Sequence, residues 1–203
     1  MPKVNRDDVD RFFQYGLMPS QRTIYVGEIE TAGLEHDSPG VDYRLTDRVL
    51  KGIMVLTHLG PDPITLILNN PGGNEYQGLA IYDAIRATPC HVEVRIMGHA
   101  MSMAAWFSQA ADTRIIYPNA TMMIHYGEMG FYGHTLDLER FSKESSRLNR
   151  LMEDHFLERI KEKLPKYTRR QLREKMLFDW FINADEALEL GLVDEIFTFP
   201  ERS

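Results

Sequence analysis

The run Ile64-Thr65-Leu66-Ile67-Leu68 is the strongest constraint on what this chain can become. A near-continuous apolar stretch of that length suits a strand whose sheet is covered on both faces, as parallel sheets are. Ile24-Tyr25-Val26, His91 to Met97, Arg114 to Tyr117 and Thr121 to Ile124 also read as strands. Helical patterns separate the earlier ones. Leu45, Val49, Ile53 and Leu56 recur at three and four residues, giving a helix that stops near Gly60-Pro61, and a second helix spans about Tyr76 to Ala87. Strands alternating with helices imply β-α-β units with right-handed crossovers, so the expected class is α/β.

Composition narrows the function classes. With 203 residues, 43% apolar and 26% charged, the chain can close one substantial core. It has no apolar run of about twenty residues, so no membrane span is expected. A net charge of −7 argues against nucleic acid as the main partner, because phosphate binding wants clustered Lys and Arg. The basic stretch Lys161 to Arg173 is interleaved with acids and reads as a solvated helix face. The single cysteine, Cys90, cannot form an intramolecular disulfide, and Met1 to Asp8 carry no apolar signal core. Both point to a reducing, cytoplasmic location.

Residues 1–20 read as an N-terminal extension, with Val9, Phe12 and Phe13 spaced for a short amphipathic turn, and 21–203 as one domain. Thr31 to Gly40 reads as a loop. Leu136 to about Lys163 is a long helix whose stripe is Leu148, Leu151, Met152, His155, Phe156 and Ile160. At about 28 residues it would extend ~40 Å, longer than a domain of this size needs. It is expected to project and meet another subunit.

The chemistry centres on Gly98-His99-Ala100-Met101-Ser102-Met103-Ala104-Ala105. Ser102 stands between a strand pattern and an apolar helix pattern, Met103 to Ala111, where a hydroxyl faces outward beside free helical N–H groups. A helix N-cap would suit Ser102 equally well. His125 closes Met122-Met123-Ile124, and Asn70-Pro71-Gly72-Gly73 ends the Ile64 to Leu68 strand. Serine, histidine and a glycine turn at these intervals suggest a serine hydrolase, although six other histidines compete for the role of base. Metal-ligand spacings and a GxxxxGK[ST] loop are both lacking, so neither a metal site nor ATP hydrolysis by this chain is expected.

Five stretches in register carry a resemblance: Asn70 to Gly73, Gly78 to Asp83, the Ser102 segment, Pro118 to His125, and Asp179 to Ala187 running into Gly191 to Asp194. Over about residues 22–198 the chain resembles the ClpP family of self-compartmentalised serine peptidases. The resemblance implies a crotonase-like α/β core with a protruding handle, here about 126–165. It implies Ser102 as nucleophile, His125 as general base and Asp179 as its orienter, with Phe178, Trp180 and Phe181 excluding water. The Gly73 and Met103 N–H groups would bind the oxyanion. Backbone at Gly72, Asn74, Tyr126 and Gly127 would pair with an extended peptide beside a mostly apolar pocket. It further implies stacked heptameric rings, unfolded protein as substrate, an AAA+ unfoldase as partner and no cofactor. Asp185, Glu186 and Asp194 would cap or solvate a nearby helix.

The chain departs from the family at Ala104, at Tyr126-Gly127-Glu128 after the histidine, and in the strand Thr65 to Leu68, which carries no tyrosine. A noncatalytic ring subunit and a crotonase-type acyl-CoA enzyme are the alternative readings.

Overall fold

The computed structural model describes residues 6–27, 40–127, 130 and 132–201. The loop expected over Thr31 to Gly40 therefore lies, apart from Gly40, outside the described residues, as does Glu128. Helix α1 (Arg6–Tyr15) leads into the two-residue β1 (Leu17–Met18) and then β2 (Thr23–Gly27). Next come α2 (Tyr43–Leu59), β3 (Ile64–Asn70), α3 (Glu75–Ala87) and β4 (Val92–Met101). Asp42 accepts from the Arg44 and Leu45 N–H groups to cap α2, and Asn74 accepts from the Gln77 N–H to cap α3.

β3 pairs in parallel with both β2 and β4, and its core-facing Ile64, Leu66 and Leu68 are fully buried. β4 then forks. Glu93 to Ile96 pair with β5 (Thr113–Ile116), whereas His99 to Met101 pair with β6 (Thr121–Ile124). Gly98 stands at the branch with φ +84°, and a Cβ there would meet Asn69 Oδ1 at 2.5 Å. Only glycine meets both demands. The fork explains why the strand runs on to Met101 and does not stop at Met97: its last residues gain a second partner.

Beyond β6 the helix α5 (Thr135–Lys163) spans 29 residues. Its C-terminal half buries Leu148, Met152, Phe156, Leu157 and Ile160, while Leu136, Leu138 and Phe141 near its start face outward. α4 (Met103–Ser108) is shorter than expected. Arg159 of α5 donates to the carbonyls of Gln109 and Ala111 and so caps the turn that ends it.

The basic stretch after Ile160 is not one solvated face. It breaks into the end of α5 and a separate α6 (Arg169–Lys175), whose Arg169 and Arg173 turn inward onto buried Glu153. Nor does Asp194 serve a helix. It grips Arg114, 2% exposed, through Nε at 3.0 Å and Nη2 at 2.7 Å. β7 (Trp180–Ile182), α7 (Ala184–Leu190) and β8 (Glu195–Ile196) finish the chain, β7 antiparallel to β6 and β8 beside β5. Asn183 caps α7.

Candidate active site

The forked sheet brings three chain segments to one point. Met101 stands opposite Met123, so the next residue, Ser102, lies beside the end of β6 and donates its N–H to the Met123 carbonyl at 2.7 Å. Ile124 stands opposite Trp180, which sets His125 beside Asp179. The side chains complete what the register begins. His125 Nε2 is 2.9 Å from Ser102 Oγ, and His125 Nδ1 is 3.0 Å from Asp179 Oδ1.

The helix-cap reading of Ser102 fails on this geometry. Ser102 occupies the cap position of α4, yet its side chain makes no capping bond; the hydroxyl is turned to His125. Its φ of +52° is shared by only one other non-glycine among the described residues, Arg22 at +48°. Such a conformation costs about 1–3 kcal/mol and persists only where neighbours enforce it. Here the strand bond to Met123 and the buried α4 do so.

The glycine turn lies against the serine. A Cβ on Gly72, whose φ is +96°, would fall 2.7 Å from Ser102 Cβ and 2.9 Å from Met103 N. Buried Asn70 holds the turn by accepting the Gly72 N–H at 2.8 Å. Val41 holds it from the other side, donating to the Gly72 carbonyl at 2.7 Å and accepting from Asn74 N–H at 2.8 Å. In such a parallel bridge the flanking groups are bonded and the central residue, Gly73, points its own N–H away. Met103, first in α4, has no intrahelical acceptor for its N–H.

Two expected peptide-binding positions are therefore committed elsewhere. The N–H groups of Gly72 and Asn74 serve Asn70 and Val41, so in this structure both are occupied in shaping the turn. Tyr126 turns its hydroxyl to Glu153 Oε1 at 2.7 Å. Burial, then that bond, pushes the phenol up to about 12, so it stays a donor. Burial alone would raise the Glu153 carboxyl, but bonds from Arg173, Arg169 and Tyr126 prevail and hold it below its ordinary range.

The expected aromatic screen around Asp179 is only partly present. Trp180 is buried, but Phe178 is 83% exposed, Phe181 also faces outward, and the Asp179 side chain is 57% exposed. His125, Tyr126, Met176, Leu177, Phe178 and Asp179 line an open cleft of about 520 Å³. The surroundings are also less apolar than expected, because Glu75 Oε1 would lie 2.9 Å from a Cβ on Gly127. Val41, Glu75 and Glu153 carry no motif, and nothing in the sequence marks them; Asn70 belongs to the glycine-turn motif, but its hold on the Gly72 N–H is not legible there.

A third layer ties the serine's helix to α5. Trp106 of α4 donates to His155 Nδ1 at 2.9 Å, and Tyr82 of α3 stacks on that imidazole at 4.3 Å. Burial depresses the His155 pKa, keeping the ring a neutral acceptor.

Comparison with known proteins agrees with this architecture. Residues 38–199 match the family model described as Clp protease. The chain is 34% identical over 185 residues to an ATP-dependent Clp protease proteolytic subunit of Deinococcus radiodurans, covering 90% of this chain and 83% of that one. Its fold is similar to that of a ClpP1 point mutant from Listeria monocytogenes, with a TM-score of 0.74 and 23% identity over 88% of this chain and 92% of the other. The expected crotonase-like α/β class holds. Matched over most of its length in both sequence and fold, the chain belongs to the Clp protease family of serine peptidases.

Proposed function

We propose that Ser102, His125 and Asp179 are the catalytic triad through which this chain cleaves peptide bonds by way of an acyl-enzyme. Asp179 accepts the Nδ1–H of His125, which leaves Nε2 unprotonated and facing Ser102. As Ser102 Oγ attacks the scissile carbonyl carbon, Nε2 takes its proton. The carbonyl oxygen becomes an oxyanion between the Gly73 and Met103 N–H groups. Collapse breaks the C–N bond, and His125 returns the proton to the departing amine. Water then repeats the sequence on the ester, releasing the acid and restoring Ser102. Tyr126 and Gly127 offer backbone to the bound peptide.

The observation that carries this reading is the unbroken hydrogen-bond chain from Ser102 Oγ to Asp179. The outward-facing Leu136, Leu138 and Phe141 at the start of α5, with Leu177, Phe178 and Phe181 beside the triad, support a handle at about 126–165 that meets a second ring. Contact there would cover Asp179. Residues 1–20 form an extension to the peptidase domain, 21–203. The name of the Deinococcus relative supports an ATP-dependent unfoldase as partner and protein chains as substrate. Among the described residues no helix is long and apolar enough to cross a membrane, and we place the assembly in the cytoplasm.

The test is Ser102→Ala in the assembled protein. Peptide hydrolysis should fall by about a millionfold, to the background, while the oligomer keeps its size. Retained turnover would sink the assignment.

A further inference from the structure

The carboxylate of Glu75 has no counterpart in the chemistry above. Glu75 opens α3, three residues after Gly72, and its Oε1 reaches Gly127, two residues after His125. It thus lies between the two segments that flank the scissile bond. Gly127 has no left-handed φ to require glycine; a methyl there would simply push the carboxylate aside.

Among the described residues the Glu75 carboxylate has no hydrogen bond and no ion pair. Its charged neighbour is Glu144 of α5, which already holds Arg147 at 2.7 Å and the Tyr76 hydroxyl at 3.0 Å. Those bonds leave Glu144 ionised and use up the nearby cation. Burial first, and then the Glu144 charge, raise the Glu75 carboxyl above its ordinary value. A half-buried carboxylate that faces only a like charge gains from a cation supplied from outside. The one molecule brought to this corner by the reaction is the substrate.

We infer that Glu75 is a specificity residue that accepts a Lys or Arg side chain of the substrate on the acyl side of the scissile bond. The inference rests on the triad reading above. Glu75 follows the Gly73 donor by two residues and its carboxylate faces Gly127, so a peptide held at the Gly73 N–H would run within reach of it. An ammonium or guanidinium there meets Glu75 in a charge-assisted bond, which favours it about tenfold or more over an apolar side chain of equal length.

Two peptidyl diphenyl phosphonates, one with a lysine-like and one with a leucine-like side chain at the acyl-side position, test this on the full assembled protein. Ser102 Oγ bonds to phosphorus, phenoxide leaves, and His125 passes it the serine proton, so the adduct reads recognition without turnover. The lysine-like probe should label wild type faster. That ratio should fall about tenfold in Glu75→Gln and survive in Glu75→Asp, which keeps the charge. A ratio unchanged in Glu75→Gln, with both probes labelling Ser102, overturns the subsite alone. If neither probe labels Ser102, the peptidase reading fails and the subsite falls with it.

Discussion

Gly72→Ala tests the oxyanion geometry more sharply than removing a triad residue does. The added methyl would sit 2.6 Å from the Met101 carbonyl oxygen, 2.7 Å from Ser102 Cβ and 2.9 Å from Met103 N. The first two contacts are backbone and side-chain root, which cannot swing away. The third puts the methyl in the space where the developing oxyanion would meet its donor. Alanine at φ +96° also strains the backbone by about 1–3 kcal/mol. For a chain of this size that strain by itself lowers the melting midpoint by about 2–12 °C, and the close contacts add to the loss. Catalysis should suffer far more, because losing one oxyanion donor costs about a hundred- to a thousandfold. Steady-state hydrolysis of a fluorogenic peptide, beside calorimetry and sizing, separates the two effects. Values of kcat/KM within about twofold of wild type in a folded, assembled Gly72→Ala would refute the placement of the oxyanion between Gly73 and Met103.

Three further outcomes are expected. Asp179→Asn should keep the His125 contact but favour the wrong tautomer, lowering kcat by about ten thousandfold; a loss below about tenfold would remove Asp179 from the triad. Asp194→Ala strands the buried Arg114 guanidinium and should cost about 3 kcal/mol, the low end for a broken buried pair because Asp194 itself is 42% exposed; chemical denaturation measures it. Glu153 and Asp194 have carboxyls held below their ordinary values, so the unfolded chain binds more protons than the folded one. Their stabilisation is complete above the ordinary carboxylate range and is lost as pH falls through the lower folded values. Melting midpoints should therefore drop steeply below about pH 4, and Glu153→Gln should flatten that slope.

The sequence shows those parts of the molecule that rest on local pattern. Apolar runs mark β3 and β4, the three-and-four spacing marks α2, and the stripe from Leu148 to Ile160 marks the buried half of α5. Ser102 was ambiguous because a nucleophile and a helix cap want the same residue at the same turn; only its direction, toward His125, separates them. What stayed hidden depends on contacts distant in the chain. Asp194 looks like any acid near a helix until β5 and β8 bring it to Arg114. Arg169 and Arg173 look solvated until α6 folds back on Glu153. Phe178 reads as a water screen, yet its side chain points outward from the single chain. Glu75 carries no signal in the sequence, and only the fold sets its carboxylate, unpaired among the described residues, against Gly127.

Fluorophosphonate labelling read by intact mass, on wild type beside Ser102→Ala and His125→Ala, decides whether Ser102 is an activated nucleophile. The triad predicts one adduct per wild-type chain and none in either variant. An adduct that persists in Ser102→Ala, or none in assembled wild type, would contradict it.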